Sequence, residues 1–299
     1  MKSETQMTTL HRIGFIGLGV MGGAMCRNLI RKARFESVSL YDSNPCAMEA
    51  VLAVGGQAAS DLQALVQASD AILLSLPDGK VSVSVMDQLH PWLRQGQLVI
   101  DTSTIPVDLA KKQFQQCQAL DVHYLDAPVA RTREAAEMGT LSAMVGGTDI
   151  AYALGKPILQ CIASDISHCG PAGSGQVVKI LNNMVLFQTV NALSEAIEIA
   201  KRAGVSADML ADVFSISSAD SFALRNHGRK ALVPGRFPER AFSTVYARKD
   251  NSYALALANA VGVHARGAQL METVFAEAVA AGLSDQYFPV IHRLHEKVD

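Results

Sequence analysis

The sequence is poor in the residues that would commit it to several common function classes. Its five cysteines, Cys26, Cys46, Cys117, Cys161 and Cys169, are odd in number and include no CxxC pair. Neither a disulfide framework nor a thiolate zinc site is signalled, and a reducing compartment is the expected setting. The eight histidines are scattered, with no HExxH or carboxylate-paired spacing, and no metal is expected. Charge is balanced: 26 Lys and Arg against 28 Asp and Glu leave a formal net charge of -2, which offers no basic surface to nucleic acid. Polar or charged residues break every apolar run before it is long enough to span a bilayer, and the first eleven residues hold no stretch of signal-peptide length. No membrane association and a cytoplasmic location are therefore expected. What the chain does have is apolar residues, 49% of the total, and 22 glycines, the composition of a folded globular protein. Its 299 residues suffice for two cores of ordinary size, so two domains are expected.

After a polar stretch over 1–10, read as a loose arm, Arg12-Ile-Gly-Phe-Ile16 has the pattern of a buried strand running into a glycine-rich turn, with a helical pattern over 21–33 beyond it. Strand patterns recur over 38–41, 71–75, 98–100, 123–125 and 141–145, and helical stretches over 46–54, 61–67 and 107–118. That alternation predicts a mostly parallel sheet with helices on its faces. Near residue 170 the pattern changes. Cys169-Gly-Pro-Ala-Gly-Ser-Gly175 is a cluster of breakers, and 176–203 then runs without Gly or Pro; as one helix it would be a rod of roughly 40 Å, long enough to join two domains. Helical patterns continue over 207–215, 241–261 and 265–281, and Gly204, Gly262 and Gly282 each follow a helical run, where glycine accepts positive φ. The small residues of 241–261 predict close helix packing, within or between subunits.

The first strand feeds Gly17-Leu18-Gly19-Val20-Met21-Gly22, a GxGxxG. The first glycine permits the tight turn, the second lets backbone approach a pyrophosphate, and the third allows the helix to pack on the strand. The helix start behind them offers amides and the positive end of its dipole to phosphate oxygens. Asp42 follows the second strand, where its carboxylate can accept hydrogen bonds from the ribose hydroxyls and would repel a 2'-phosphate. No arginine follows at 43 or 44, so NAD is expected rather than NADP. The strands over 71–75 and 98–100 run into Leu76-Pro77-Asp78 and Asp101-Thr-Ser-Thr104-Ile-Pro106, at the sheet edge where ligands sit. Leu76 and Pro77 are candidates to press on a nicotinamide ring and Thr104 to hydrogen-bond to ligand or cofactor; an ordinary turn is the alternative. The expected architecture is α/β: a Rossmann-type NAD-binding domain over 11–174, joined by a long helix to an all-helical domain over 175–299.

Hydride transfer from an alcohol needs a group that removes the hydroxyl proton. Lys179 lies one turn into the long helix, with Gln176 three residues before it and Asn183 four after, so the three share one face. A solvated lysine and a functional one look alike at this spacing; in a cleft wall, desolvation would favour proton exchange near neutral pH. His168 precedes the glycine cluster and is the least easily dismissed histidine. The segment Asp126-Ala-Pro-Val-Ala-Arg131-Thr132-Arg133 follows a predicted strand. Arg131 offers a planar fork for a carboxylate, sulfonate or phosphonate, with Thr132 beside it. Pairing of the arginines with Glu134 and Glu137 on a surface helix is the competing reading.

Taken together, four motifs resemble the beta-hydroxyacid dehydrogenase family over about residues 12–290. They are Gly14-Phe-Ile-Gly17-Leu-Gly19-Val-Met-Gly22 continuing to Asn28-Leu29; Asp126-Ala-Pro-Val129 continuing to Gly139-Thr-Leu-Ser-Ala-Met-Val-Gly-Gly147; Gly170-Pro-Ala-Gly173-Ser-Gly175-Gln-Val-Val-Lys179-Ile-Leu-Asn182-Asn183; and Lys249-Asp250. The resemblance implies that Lys179 donates and accepts the proton, that Asn183 orients the substrate, and that Lys249 lies near cofactor and substrate. It also implies a helical half that closes the cleft and a homodimer or homotetramer. Where the family commonly has Ser-Gly-Gly after Asp-Ala-Pro-Val, this chain has Ala130-Arg131-Thr132, which is more similar to the sulfolactaldehyde reductase branch. The expected substrate is a small anionic C3–C4 hydroxy acid or its semialdehyde. A sulfolactaldehyde-type reductase, an imine reductase and a non-catalytic dinucleotide sensor are the alternatives; a decarboxylase of the 6-phosphogluconate type would need a larger helical half.

Overall fold

A computed structural model describes residues 10–32, 35–239 and 241–295. Of the arm expected over 1–10, residues 1–9 lie outside the described residues, as does residue 33 at the expected end of the first helix. The chain divides into two compact units, Met1–Lys179 and Ile180–Asp299.

The first unit is built on a sheet in which β1 (Arg12–Ile16), β2 (Ser37–Tyr41), β3 (Gln57–Ala58), β4 (Ala71–Leu74), β5 (Leu98–Asp101) and β6 (His123–Asp126) run parallel in the order 3-2-1-4-5-6. The order reverses at β1, which lies between β2 and β4, so the crevice for a ligand opens beyond the C-terminal ends of these strands. The sheet then departs from the expected parallel run. β8 (Leu141–Gly146) pairs antiparallel with β6 and with the short β7 (Val129–Ala130), and β9 (Ala163–Gly170) adds parallel to β8.

Both faces of the central strands are covered, which is why those strands read as unbroken apolar runs. Ile13, Phe15, Leu73, Ile100 and Leu125 pack on one side with α1 (Val20–Arg31) and α7 (Asp149–Leu159). Ile16, Ile72, Leu74, Val99 and Tyr124 pack on the other with α3 (Leu62–Ala68), α4 (Gly79–Leu89) and α5 (Val107–Gln118). The remaining helices of this unit are α2 (Pro45–Leu52) and α6 (Arg133–Met138).

α8 (Ser174–Arg202) is a single helix of 29 residues. The second unit contains most of it together with α9 (Ala207–Phe214), a π-helical segment Leu224–Leu232, α10 (Thr244–Ala260), α11 (Arg266–Ala280) and a 3-10 stretch Phe288–Leu294. Its strand content among the described residues is two isolated bridges, Glu239 with Gln286 and Ser243 with Tyr287. The core centres on Phe187, Phe275 and Phe288, with ring centroids of Phe275 and Phe288 each 5.3 Å from that of Phe187 in edge-on contact. The small face of α10 packs inside this unit: Ala247 and Ala254 are buried and the Asn251 side chain donates to the Ala268 carbonyl on α11 at 2.9 Å. Gly204, Gly262 and Gly282 take φ of 85°, 73° and 78° at the ends of α8, α10 and α11, the left-handed stop expected of them.

Candidate active site

The glycine motif sits at the strand-order reversal. Gly17 has φ 89°, and a Cβ there would overlap the Ser75 carbonyl oxygen at the end of β4. At Gly22 a Cβ would overlap the Gly17 carbonyl, so only glycine lets α1 press this closely on the turn. Gly19 differs: an added Cβ would meet nothing within 4 Å. Its lack of a side chain serves open space directly above the start of α1, the room that a dinucleotide's pyrophosphate requires. Leu18 is buried, Val20 exposed and Met21 half-buried.

Asp42 stands just beyond β2. One carboxylate oxygen accepts from the Leu18 N–H at 2.6 Å and the other from the Asn44 N–H at 2.8 Å. The acid that would read the ribose is thus locked to the glycine turn that would hold the phosphates. Each oxygen keeps a further lone pair for an incoming hydroxyl.

The loops after β4 and β5 are tied together. The Leu76 N–H donates to Ser103 Oγ at 2.8 Å, and the Ser103 N–H donates to Asp101 Oδ1 at 2.9 Å. Pro77 is exposed, whereas Leu76 and Thr104 are half-buried on these two loops. All of the cofactor-side residues predicted from the first unit therefore lie at the ends of β1, β2, β4 and β5.

Lys179 occupies the second turn of α8 and is 8% exposed. The start of that helix is held by Asp126, the last residue of β6, whose Oδ1 accepts from the Gly173 N–H at 2.7 Å and Oδ2 from the Gln176 N–H at 2.9 Å. Asp126 is fully buried and in register with Asp101 on β5, also fully buried. Burial pushes each carboxyl up to about 6, against the hydrogen bonds that favour its charged form. The sequence offered Asp126 only as part of a motif; its use as the anchor of α8 was not legible.

The Gln176 side chain turns to the loop after β5. It is fully buried, with Oε1 accepting from the Ile105 N–H at 3.1 Å and Nε2 donating to the Ser103 carbonyl at 2.8 Å. In the second unit Asn183, one turn beyond Lys179 on α8, donates from Nδ2 to Asp250 Oδ2 at 2.8 Å and accepts from Asn182 Nδ2 at 3.2 Å. Asp250 Oδ1 faces Lys249 Nζ at 3.1 Å, and that ammonium lies 5.3 Å from the ring centroids of both Tyr246 and Tyr253. Lys249 and Asn183 are therefore joined through one buried carboxylate, a role for Asp250 that spacing alone did not reveal.

Arg131 is an unexpected backbone position. Its φ is 89°, in the left-handed region that glycine favours and that costs a residue with a Cβ about 1–2 kcal/mol. The guanidinium does not pair with Glu134 or Glu137. Nη1 donates to the Thr140 carbonyl at 2.7 Å and to Ser164 Oγ at 2.9 Å, and Nη2 lies 2.7 Å from Asp165 Oδ2. Glu137 instead holds Arg27 at 2.7 Å. The Arg131–Asp165 ion pair is half-exposed and water-screened, of the kind that exchanges easily. Thr132 caps α6, its Oγ1 accepting from the Ala135 N–H at 3.3 Å, which leaves its hydroxyl proton as the group to offer. The His168 ring stacks on Tyr152 at 4.5 Å, and its Nε2 meets the Gly147 carbonyl at 3.0 Å.

Among the described residues no group of three or more His, Cys, Asp or Glu side chains is placed to hold a metal ion, and no helix is long and apolar enough to cross a membrane.

A doubly wound sheet with this glycine turn, a carboxylate locked beside it and a buried lysine on the helix leaving its edge defines a nicotinamide-dinucleotide oxidoreductase. Comparison with known proteins narrows the class. Residues 12–170 match the family described as the NAD binding domain of 6-phosphogluconate dehydrogenase, and residues 173–294 that described as NAD-binding of NADP-dependent 3-hydroxyisobutyrate dehydrogenase. The mitochondrial 3-hydroxyisobutyrate dehydrogenase of Drosophila melanogaster is 31% identical, over 95% of this chain and 89% of that one. The 2-(hydroxymethyl)glutarate dehydrogenase of Eubacterium barkeri is 29% identical, over 96% and 95%. Among solved structures, Mycobacterium tuberculosis 3-hydroxyisobutyrate dehydrogenase with L-serine superposes with a TM-score of 0.86 at 31% identity, covering 96% of this chain and 99% of that one. The chain belongs to the beta-hydroxyacid dehydrogenase family and is a nicotinamide-dependent hydroxyacid dehydrogenase.

Proposed function

We propose that the protein interconverts a small anionic beta-hydroxy acid and its semialdehyde, with NAD as the preferred cofactor and Lys179 as general acid and base. The observation that carries this reading is the placement of Lys179: a buried amine on a helix whose first turn is fixed to the loops after β5 and β6. NAD, when bound, supplies the hydride acceptor. Gly17 to Met21 receive its pyrophosphate, Asp42 accepts from the adenosine ribose hydroxyls, and Leu76, Pro77 and Thr104 border the nicotinamide. Lys179 takes the hydroxyl proton in oxidation and returns it in reduction, and its ammonium form stabilises oxyanion character at the carbonyl oxygen. Asn183 orients the substrate, and Lys249, paired with Asp250 and set over two tyrosine rings, adds positive charge for cofactor or substrate. Arg131 receives the substrate's anionic group in exchange for Asp165, with the Thr132 hydroxyl beside it.

The relatives support this substrate class. 3-Hydroxyisobutyrate, 2-(hydroxymethyl)glutarate and L-serine, named for those proteins, all carry a hydroxyl one carbon beyond the carbon that bears a carboxylate. Arg131 in place of the family's usual glycine favours a substrate whose anion tolerates a long, planar donor, and sulfonates belong in the same screen. A homodimer or homotetramer and a cytoplasmic location complete the reading. The test is turnover at 340 nm with NAD and NADP against hydroxyisobutyrate, glycerate, serine, threonate and sulfolactate, and with NADH and NADPH against their aldehydes. NAD-linked turnover of at least one carboxylate or sulfonate is expected; no turnover of any anionic hydroxy acid or aldehyde would refute the proposal.

A further inference from the structure

The amide of Gln176 has no part in the chemistry just described, yet it is fully buried and bonded at both ends. Both of its ends are bonded to main chain of the loop after β5, Oε1 to the Ile105 N–H at 3.1 Å and Nε2 to the Ser103 carbonyl at 2.8 Å. That loop carries Thr104, and through Ser103 Oγ it also holds the Leu76 N–H of the loop after β4 at 2.8 Å. On the helix side, the Gln176 N–H donates to Asp126 at 2.9 Å. The neighbouring Gly175 lies so close to β6 and β8 that a Cβ would overlap the Met144 carbonyl. The first turn of α8 is therefore tied to the ends of the strands through both its main chain and a side chain. Lys179 follows three residues on, a rise of about 4.5 Å.

We propose that Gln176 is a positioning residue for proton transfer: its side-chain amide fixes α8 to the loop of Ser103 and Ile105 and so sets where the Lys179 amine stands relative to the nicotinamide. The inference rests on Lys179 being the general acid and base. Glutamine suits the task because it satisfies one main-chain donor and one main-chain acceptor at once without introducing charge. A misplacement of about 1 Å between reacting groups can lower a rate by as much as 100-fold. The signature is a loss of kcat with cofactor binding retained.

The test uses Gln176→Met, of similar length but without hydrogen bonds, beside Gln97→Met. Gln97 is also a buried amide, at the opposite end of β5, bonded to the Val66 and Ser69 carbonyls at 2.9 and 2.8 Å. Both substitutions remove buried hydrogen bonds and are expected to lower thermal stability. Only Gln176→Met is expected to lower kcat, by about 10- to 100-fold, with NADH affinity by fluorescence within about two-fold of the parent and a larger primary deuterium isotope effect from substrate labelled at the hydride carbon. Gln176→Glu keeps an acceptor for Ile105 and should recover part of the loss; it decides the matter if the methionine variant fails to fold. Equal kcat in the two methionine variants, or a normal kcat in Gln176→Glu where Gln176→Met does not fold, would overturn the positioning role. Lys179→Ala is run alongside: normal turnover there removes the underlying reading, whereas an inactive Lys179→Ala with a normal Gln176→Met removes the inference alone.

Discussion

Asp126→Asn isolates the group that anchors the catalytic helix. Asp126 is fully buried, and its carboxyl rises from 3.8 to about 6, chiefly through desolvation and in spite of the N–H groups of Gly173 and Gln176. A rise of that size corresponds to about 3 kcal/mol. The sign follows from proton binding. Between about pH 4 and pH 6 the unfolded chain has released a proton that the folded chain still holds, so this group's contribution to stability falls as pH rises through that window and is regained on acidification. Asparagine has the same shape and does not titrate. It keeps one acceptor for the helix amides and loses the other, a penalty that does not change with pH. Asp101 is raised chiefly by burial as well and is present in both proteins, so its own desolvation cancels. Urea unfolding followed from about pH 4 to about pH 7 should show the variant gaining about 3 kcal/mol on the parent across the range, at equal m-value. A difference between the two proteins that stays constant with pH would refute the reasoning, because the Asp126 carboxyl would then titrate alike in the folded and unfolded chains.

Gly19→Ala and Gly22→Ala should separate cofactor binding from folding: the first leaves the melting temperature near that of the parent while weakening NADH binding, and the second lowers the melting temperature because its methyl overlaps the Gly17 carbonyl. Calorimetry with NADH titration checks both, and intact NADH affinity in Gly19→Ala would place the pyrophosphate elsewhere. Asp42→Ala should erode the preference for NAD over NADP in kcat/KM, and an unchanged ratio would mean that the ribose is read by another residue. Arg131→Ala should raise KM for the best anionic substrate with little effect on NAD affinity. Arg131→Gly should then be more stable than Arg131→Ala by about 1 kcal/mol, since only the glycine is relieved of the positive φ; equal stability of the two would remove the strain.

The parts of the fold legible in the sequence were those in which local chemistry and tertiary demand agree. The apolar runs of β1, β4 and β5, the breaker-free span of α8 and the glycines at 204, 262 and 282 all belong to this group. α4 was missed because Val81-Ser-Val-Ser-Val85 alternates like a strand; it is helical because Asp78 caps it, accepting from the Val81 N–H at 2.9 Å, and because two parallel strands need a crossover between them. α7 was hidden by Gly155 and Pro157 inside it, although Thr148 supplies an ordinary cap. β9 carries only Ala163 and Ile166 as apolar anchors among Ser, Asp and His, too few to stand out.

At the site, the contacts that support the motif residues were not legible. The GxGxxG and Asp42 stand out by type and spacing, whereas Lys179 is singled out only by the family resemblance. Gln176 shares a helical face with Lys179 in projection, but its side chain turns to main chain 71 to 73 residues away. The pairing of Arg131 with Asp165 likewise joins residues far apart in the chain, and no local pattern encodes such a contact. The glycine-like φ of Arg131 has a signal in hindsight, since it stands where the family commonly has glycine.

The most direct measurement is single-turnover hydride transfer by Lys179→Ala with NAD and the best substrate found in the screen, with NADH affinity determined on the same preparation. The account expects transfer slowed by about 100-fold or more while NADH binds as it does to the parent. Transfer at the parental rate with the cofactor fully bound would contradict it, because the proton would then leave by a path in which this amine has no part.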